Sequence, residues 1–241
     1  MEAEAPTHRT RPDSIQRMFG SIAERYDLAN SVLSLGIHKL WRRRLVKLSG
    51  AEKGQRIFDA ATGTGDLAFA FATIVGPSGT VIGGDFSEPM LQCARNKQAA
   101  TLPWLFFKFA DVMQLPFENE SFDIVTISFG IRNVSEPEAG LRELFRVLKP
   151  GGRLLVLEFG SYNESWWLKL FGWYSRTILP VIGGLVTGER KAYQYLQESS
   201  STFPARDEFV RIIQRAGGTV EVAFEALTGG IAYLYYASKP G

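Results

Sequence analysis

Short apolar runs alternate with segments of helical hydrophobic spacing along most of the chain. Five runs are rich in β-branched and aromatic residues and are bounded by glycine, proline or polar residues, which is typical of buried strands. These predicted strands are residues 57–60, 80–85, 105–110, 122–128 and 153–158. Residues 136–148 are a predicted helix between the last two, because Leu141, Leu144 and Phe145 fall on one helix face. Strands that alternate with helices pair in parallel, so the pattern predicts an α/β fold.

The C-terminal part of the chain has a different pattern. Residues 206–216 have helical spacing, and the runs 218–226 and 230–238 are joined by a Thr-Gly-Gly turn. Two such runs around a glycine turn are typical of a β-hairpin. We therefore expect a helix and a hairpin after the parallel strands.

The first predicted strand leads into a glycine turn, residues 62–66, that also begins a helix. Glycine lacks a Cβ, so a ligand can lie close to the backbone there, and the amides of the next helix start are free donors. Gly63 to Ala68 formally fits the G-x-G-x-x-G/A pattern of dinucleotide sites. Asp66, however, places negative charge where a pyrophosphate would bind, which favours a cationic ligand without phosphate such as S-adenosylmethionine.

Carboxylates stand at the ends of three predicted strands. Asp59 lies near the end of the first, Asp85 ends the second at 20 residues after Gly65, and Asp111 follows the third together with Val112. The carboxyl ends of neighbouring parallel strands form the ligand crevice of an open α/β sheet. We expect Asp85 to bind ribose hydroxyls and Asp111 to accept from an adenine amino group. The alternative is that these residues only cap helices.

Longer segments carry a resemblance to a known family. They include Tyr-Asp-x-x-Asn at 26–30, Gly-Ile-Arg-Asn at 130–133, Tyr-x-Tyr-Leu at 193–196 and Thr-Gly-Gly-Ile-Ala at 228–232. With these segments the chain resembles, from about residue 18 to its C-terminus, the quinone-biosynthesis C-methyltransferases. That family belongs to the class I S-adenosylmethionine-dependent methyltransferases and methylates demethylmenaquinol or its ubiquinol-pathway counterpart.

The resemblance implies a Rossmann-like, seven-stranded, mostly parallel sheet whose last strand is antiparallel, with N-terminal helices that close over the cofactor and a helical lid insertion. It implies S-adenosylmethionine as methyl donor, S-adenosylhomocysteine as product, a prenylated quinol as substrate, and no metal. The cofactor contacts predicted at the matching positions are Asp59, Gly63, Thr64, Gly65, Asp85, Asp111, Val112 and Ser128.

Three further residues are catalytic candidates. A hydroquinone ring carbon becomes a strong nucleophile only as a ring hydroxyl loses its proton. Arg132 and Asn133 follow the fourth strand on the ligand side, where the guanidinium could stabilise the oxyanion and the amide could orient the ring oxygen. Arginine is a poor base, so a water held by Arg132 or Tyr26 would carry the proton away. The alternatives are an arginine paired with a nearby acid, a core tyrosine, and His38 as the base.

Composition fits one globular domain. Of 241 residues 45% are hydrophobic, and no low-complexity linker divides them. Residues 1–17 are expected to be a flexible tail without a signal peptide, and residues 18–241 a single methyltransferase domain with an insertion at about 161–204. A single cysteine excludes an intrachain disulfide. Lysine plus arginine exceed aspartate plus glutamate by only 27 to 25, which argues against a nucleic-acid partner.

The insertion contains three of the five tryptophans, between Trp166 and Val186. Lys169, Arg176 and Pro180 interrupt it, so it is not a spanning helix. Tryptophan beside basic residues suits a helix on a lipid surface or an apolar lid. We therefore expect a cytoplasmic enzyme in transient, peripheral contact with the inner face of the cell membrane. A homodimer contact or ordinary core is the alternative.

Two other classes of function stay open at this point. An NAD-dependent oxidoreductase shares the glycine turn and Asp85, but the chain offers no evident hydride-transfer residues. A class I methyltransferase that acts on RNA or on another small molecule is the nearer competitor. The choice between a naphthoquinol and a benzoquinol ring also stays open.

Overall fold

The computed structural model describes residues 20–21, 23, 26–34, 36–98, 102–160, 172–174, 177 and 190–241. The predicted tail, residues 1–17, and most of the predicted insertion lie outside this part of the chain. The α-helices of the described part are α1 Tyr26–Leu33, α2 Ile37–Ser49, α3 Asp66–Val75, α4 Glu88–Lys97, α5 Pro137–Val147, α6 Arg190–Thr202 and α7 Asp207–Gly217. Its strands are β1 Arg56–Ala60, β2 Thr80–Asp85, β3 Leu105–Phe109, β4 Phe122–Ser128, β5 Leu148–Phe159, β6 Val222–Leu227 and β7 Ala232–Ser238.

The seven strands form one sheet in the order β3-β2-β1-β4-β5-β7-β6. The pairs from β3 to β5 are parallel, and β7 runs antiparallel to both β5 and β6. This confirms the expected seven-stranded, mostly parallel sheet with an antiparallel last strand. Because β1 has β2 on one side and β4 on the other, the order of connection reverses beside β1, and ligands bind at such a switch point in open α/β sheets.

Two apolar clusters cover the two faces of the sheet. One joins the strands to α5 and α7 through Leu141, Leu144 and Phe209. The other joins them to α2, α3 and α4 through residues such as Leu45 and Phe71. The helices therefore pack in one layer on each face, as the alternation of apolar strands and amphipathic helices requires.

The fifth strand and the hairpin differ from the predicted bounds. β5 begins at Leu148, so the Pro-Gly-Gly stretch predicted as a turn lies within the strand. There the pairing with β4 shifts register, and Gly151 has φ 73° and donates to the carbonyl of Lys239 beyond β7. The hairpin strands start later than expected, at Val222 and Ala232. The start of β7 is displaced by a 3₁₀ turn at 228–230.

No helix within the described ranges is long and apolar enough to cross a membrane. The tryptophan-rich stretch falls mainly outside those ranges. The expected helix on a lipid surface or apolar lid in this stretch therefore stays a prediction. Trp173 is described, and its side chain is exposed.

Candidate cofactor and substrate cleft

A cleft lies at the carboxyl ends of β1, β2, β3 and β4, beside the switch point. It holds about 870 Å³ of empty space, a figure that includes its open mouth. Seven residues predicted from the sequence line it: Tyr26, Gly63, Asp85, Asp111, Val112, Ser128 and Asn133. Four other predicted residues, Asp59, Thr64, Gly65 and Arg132, do not line it.

The glycine turn places backbone rather than side chains against the cleft. Gly63 has φ 57°, and a Cβ built on it meets no atom within 4 Å, so this position stays open to a ligand. Gly65 precedes α3 with φ 88°, and a Cβ there would lie 2.7 Å from the ring of Phe107. Only glycine allows the chain to turn this tightly between β1 and α3.

Asp85 is held in place by the glycine turn. The backbone N–H of Gly63 donates to Oδ2 at 2.8 Å, and that of Ser87 donates to Oδ1 at 2.9 Å. Burial raises the pKa of the carboxyl, and these amides oppose the shift by stabilising the charged form. Each oxygen has a further lone pair for a ligand hydroxyl, so the expected contact with ribose fits this geometry.

Two buried hydroxyls of the cleft lack a partner among the described residues. Ser87 Oγ belongs to a residue only 1% exposed, and Ser128 Oγ lies at the end of β4. A buried polar atom left unpaired is costly, so such atoms are normally satisfied by a ligand or by water. Asp111 and Val112 line the neighbouring part of the cleft, after β3. This distribution of polar groups suits a nucleoside with several hydroxyls and an amino group.

Asp59 supports the turn from below and does not reach the cleft. Its side chain is 1% exposed, and it accepts from Thr62 Oγ1 at 2.6 Å and from Thr126 Oγ1 at 2.7 Å. Burial raises the pKa of this carboxyl to about 6, against the effect of these hydroxyl donors. Asp59 therefore ties β1, the turn and β4 together, so its expected effect on the cofactor is indirect.

Thr64 faces the N-terminal helix α1. Its hydroxyl donates to Oδ1 of Asp27 at 2.5 Å, and Lys97 Nζ forms an ion pair with the same carboxylate. Lys97 also donates to the carbonyl of Thr64 at 3.2 Å. These bonds hold the start of α1 against the glycine turn, and they place Tyr26 at the rim of the cleft. The N-terminal helices were expected to close over the cofactor, and the structure places the start of α1 against the glycine turn at one side of the cleft.

Asp66 has a different position from the one expected. Its carboxylate pairs with Arg42 Nη1 at 2.7 Å and with Lys97 Nζ at 3.4 Å, and it does not line the cleft. Because two cations neutralise it, Asp66 does not repel phosphate from the site as the sequence argument assumed. The negative group that faces the cleft beside the turn is Asp85.

Arg132 also differs from its expected position. It lies in a 3₁₀ turn, Ile131–Asn133, where its guanidinium is 3% exposed and pairs with Glu158 at 2.6 Å. The same Nη1 donates to the carbonyl of Phe129 at 2.6 Å, and the guanidinium lies over the ring of Phe159. The contacts of Arg132 therefore match the alternative interpretation, an arginine paired with a nearby acid. They do not match the expected direct contact with a ring oxygen in the cleft.

Sequence reasoning missed part of the cleft. Phe86, Ser87 and Met90 line it from the segment after Asp85, and Met113 and Phe129 line it from the segments after β3 and β4. Their nearness in sequence to Asp85, Asp111 and Ser128 is a signal that could have identified them. Glu158, which pairs with Arg132, was also not predicted, and no such signal in the sequence indicated it.

The fold and the cleft together define a class I methyltransferase. The sheet order, the glycine turn, the buried acid at the end of β2 and the unpaired hydroxyls fit S-adenosylmethionine. Within the described residues no group of histidine, cysteine and acidic side chains could hold a metal ion.

The ubiE/COQ5 methyltransferase family matches residues 7–239, and the chain belongs to this family. It is 48% identical to the ubiquinone/menaquinone biosynthesis C-methyltransferase UbiE of Bdellovibrio bacteriovorus, with 95% of this chain and 97% of the relative covered. The protein of that name from Stutzerimonas stutzeri is 41% identical, with 99% and 97% covered. The chain is thus an S-adenosylmethionine-dependent methyltransferase.

Solved structures show the same fold. A SAM-dependent methyltransferase from Thermotoga maritima superposes with a TM-score of 0.65 at 21% identity, over 92% of this chain and 99% of that one. Phosphoethanolamine N-methyltransferase 2 of Haemonchus contortus, in complex with S-adenosyl-L-methionine, gives a TM-score of 0.59 at 18% identity, over 83% and 52%. At these identities the likeness concerns the fold alone.

Proposed function

We propose that the protein transfers a methyl group from S-adenosylmethionine to a ring carbon of a prenylated quinol in quinone biosynthesis. The observation that carries the proposal is the cleft beside the glycine turn, with Asp85 at its base and Asn133 at its wall, in a member of this family. The names of the relatives add the substrate class, since both name ubiquinone and menaquinone biosynthesis. Demethylmenaquinol is the substrate we favour.

Several residues of the chain would hold the cofactor. Asp85 accepts from the ribose hydroxyls, Asp111 and Val112 lie at the adenine end, and Ser128 donates or accepts from the end of β4. Gly63 leaves the backbone open to the cofactor, while Asp59, Thr64 and Gly65 fix the shape of the turn. When bound, S-adenosylmethionine supplies a methyl group already activated by its sulfonium.

Catalysis by the chain is then mainly placement and charge stabilisation. The cleft holds the ring in line with the methyl group and excludes water, an effect worth up to roughly 7 to 11 kcal/mol in favourable cases. Asn133 donates to the ring oxygen as its proton leaves, and Tyr26 holds a water that takes the proton. Arg132 acts one step removed, because its pair with Glu158 fixes the turn that carries Asn133.

The test is methyl transfer from S-adenosylmethionine to reduced demethylmenaquinol, to its benzoquinol counterpart and to RNA, with products identified by mass spectrometry. We expect methylated quinol and no methylated RNA. Asp85→Ala should weaken cofactor binding in calorimetry at least about tenfold, since it removes a charged acceptor. Methylation of RNA with none of either quinol would replace this proposal by its competitor.

Contact with the membrane surface is the second part of the proposal. The exposed face of α2 carries Lys39, Leu40, Arg43 and Lys47, and Leu40 is 59% exposed. No acid among the described residues pairs with these three cations. Basic side chains next to an exposed leucine suit a surface of anionic lipid, from which a prenylated quinol could be taken.

Sedimentation with vesicles tests this contact. We expect the protein to bind vesicles that contain anionic lipid and not neutral ones, and charge reversal of the α2 face to reduce binding more than about tenfold, at about 1 kcal/mol per cation. The variant is Lys39→Glu/Arg43→Glu/Lys47→Glu. The matched control, with the same change in charge at exposed cations elsewhere, is Lys53→Glu/Lys108→Glu/Arg211→Glu. Equal losses in both variants, or no binding by the wild type, would refute the contact.

A further inference from the structure

Tyr195 reaches the cleft through another side chain. It lies in α6, in the Tyr-x-Tyr-Leu segment at 193–196, and its hydroxyl donates to Oδ1 of Asn133 at 3.1 Å. Asn133 lines the cleft, whereas Tyr195 does not. This bond therefore connects α6, which follows the insertion, to the wall of the candidate substrate site.

The bond holds the Asn133 carboxamide by its oxygen. A carboxamide has an oxygen that accepts and an NH₂ that donates, and a half turn of the side chain exchanges them. The Tyr195 hydroxyl engages the oxygen. The NH₂ makes no hydrogen bond to any described residue, so it is the end left for a ligand.

The backbone of Asn133 is fixed independently of its side chain. Its N–H donates to the carbonyl of Gly130 at 3.0 Å. Arg132, the preceding residue of the same turn, donates to the Glu158 carboxylate from its guanidinium and from its backbone N–H. The turn therefore sets where Asn133 stands. Tyr195 sets only how the carboxamide is oriented, so the two effects can be separated by mutation.

Tyr195 keeps its proton in this environment. Burial raises the pKa of its hydroxyl, Arg132 opposes this shift, and the Glu158 carboxylate adds to it. At neutral pH the hydroxyl thus continues to donate to Asn133. A protonated phenol of raised pKa is not suited to accept the quinol proton.

We propose that Tyr195 is a positioning residue that holds the Asn133 amide with its NH₂ toward the ring oxygen of the quinol. The inference rests on the proposed function, because it requires a ring oxygen that gains negative charge during the reaction. An N–H donor stabilises that charge more strongly in the transition state than in the neutral quinol. With the amide reversed, Oδ1 would face the developing charge and oppose it. The effect of Tyr195 is therefore on kcat.

The experiment is a double-mutant cycle on the full chain with reduced demethylmenaquinol. Tyr195→Phe removes only the hydroxyl and should lower kcat about tenfold, the upper range for one hydrogen bond, with KM for S-adenosylmethionine unchanged. Asn133→Ala should lower kcat at least as far. The double variant should be no slower than Asn133→Ala alone, because Tyr195 acts only through that side chain.

Controls separate this role from a general loss of structure. Calorimetry should give Tyr195→Phe the same affinity for S-adenosylmethionine as the wild type, and Tyr236→Phe, at an exposed tyrosine of β7, should keep the wild-type kcat. An unchanged kcat in Tyr195→Phe, or losses that add in the double variant, would overturn the inference while the proposed function stands. If the wild type methylates no quinol, the proposed function and the inference fail together.

Discussion

The ion pair of Arg132 and Glu158 is buried on both sides, with side chains 3% and 1% exposed. A buried charge that loses its partner is far more costly than the pair itself. Glu158→Gln should therefore lower the free energy of unfolding by about 3 to 5 kcal/mol, measured by urea denaturation.

The control for this prediction is the exposed pair of Arg44 and Glu225, with side chains 41% and 37% exposed. Glu225→Gln should cost less than about 1 kcal/mol, because solvent screens the charges. Similar small losses in both variants would show that Arg132 does not depend on Glu158.

His38 offers a second test at this scale. The Ser34 hydroxyl donates to the carbonyl of Asn30 and lies 2.6 Å from Nδ1 of His38, so Nδ1 must carry a proton and donate to Ser34. Burial, with the charge of Arg42, lowers the pKa of this histidine from 6.5 to about 4. His38 is therefore neutral at physiological pH and belongs to the packing between α1 and α2.

The pH dependence of stability follows from that shift. Between pH 6.5 and 4 the unfolded chain takes up a proton at His38 and the folded chain does not. The contribution of this residue to the free energy of unfolding therefore decreases as the pH falls. The difference in free energy of unfolding between wild type and His38→Gln should change by about 3 kcal/mol over this range, to the disadvantage of the wild type. The wild type has to be compared with the variant because Asp59, with its pKa raised to about 6, titrates in the same pH range. Asp59 has the opposite effect, since it raises the free energy of unfolding as the pH falls. A difference that stays constant with pH would contradict this.

At the residue scale the sequence predicted the groups whose position follows from local order. Gly63, Asp85, Asp111 and Ser128 stand at strand ends, and parallel strands bring their ends to one edge. The partner of Arg132 could not be predicted, because Glu158 lies 26 residues away and meets it only through the pairing of β4 with β5. The pairing of Asp66 with Arg42 depends in the same way on how α2 packs against α3.

At the scale of elements, the junction of β1 and α3 requires a glycine at position 65. Gly65 combines a left-handed backbone with close contact to Phe107. Gly65→Ala should weaken binding of S-adenosylmethionine at least about tenfold in calorimetry, because strain of about 1 to 2 kcal/mol and the collision together displace the start of α3.

Gly36 is a matched control for that variant. It precedes α2 in the same left-handed conformation, with φ 76°, but a Cβ there meets no atom within 4 Å. Gly36→Ala should lower stability by a similar strain and leave the affinity for the cofactor unchanged. Equal loss of affinity in both variants would mean that the contact with Phe107 is not what keeps glycine at 65.

The predicted elements failed where proline and glycine occur inside a strand. The Pro-Gly-Gly of residues 150–152 was predicted as a turn, yet Gly151 and Gly152 exchange backbone hydrogen bonds with Lys239, so the strand continues around a bulge. Local composition cannot distinguish a turn from a bulge, since the difference lies in a partner strand almost ninety residues further on.

At the scale of the whole molecule, the pattern of strands and helices predicted the class of fold but not the strand order. The antiparallel direction of the last strand was expected only through the family resemblance, and the position of β7 between β5 and β6 was not predicted. The cleft depends on that order, because β1 and β4 must be neighbours for Gly63 and Ser128 to face one cavity.

We propose that the cleft beside the first glycine turn transfers a methyl group to a quinol carbon. The most direct measurement uses S-adenosylmethionine with an isotopically labelled methyl group, reduced demethylmenaquinol, and NMR of the product. We expect the label on a ring carbon in the wild type and its loss in Asp85→Ala. Label on a ring oxygen, or no label in the quinol while another substrate is methylated, would contradict the account.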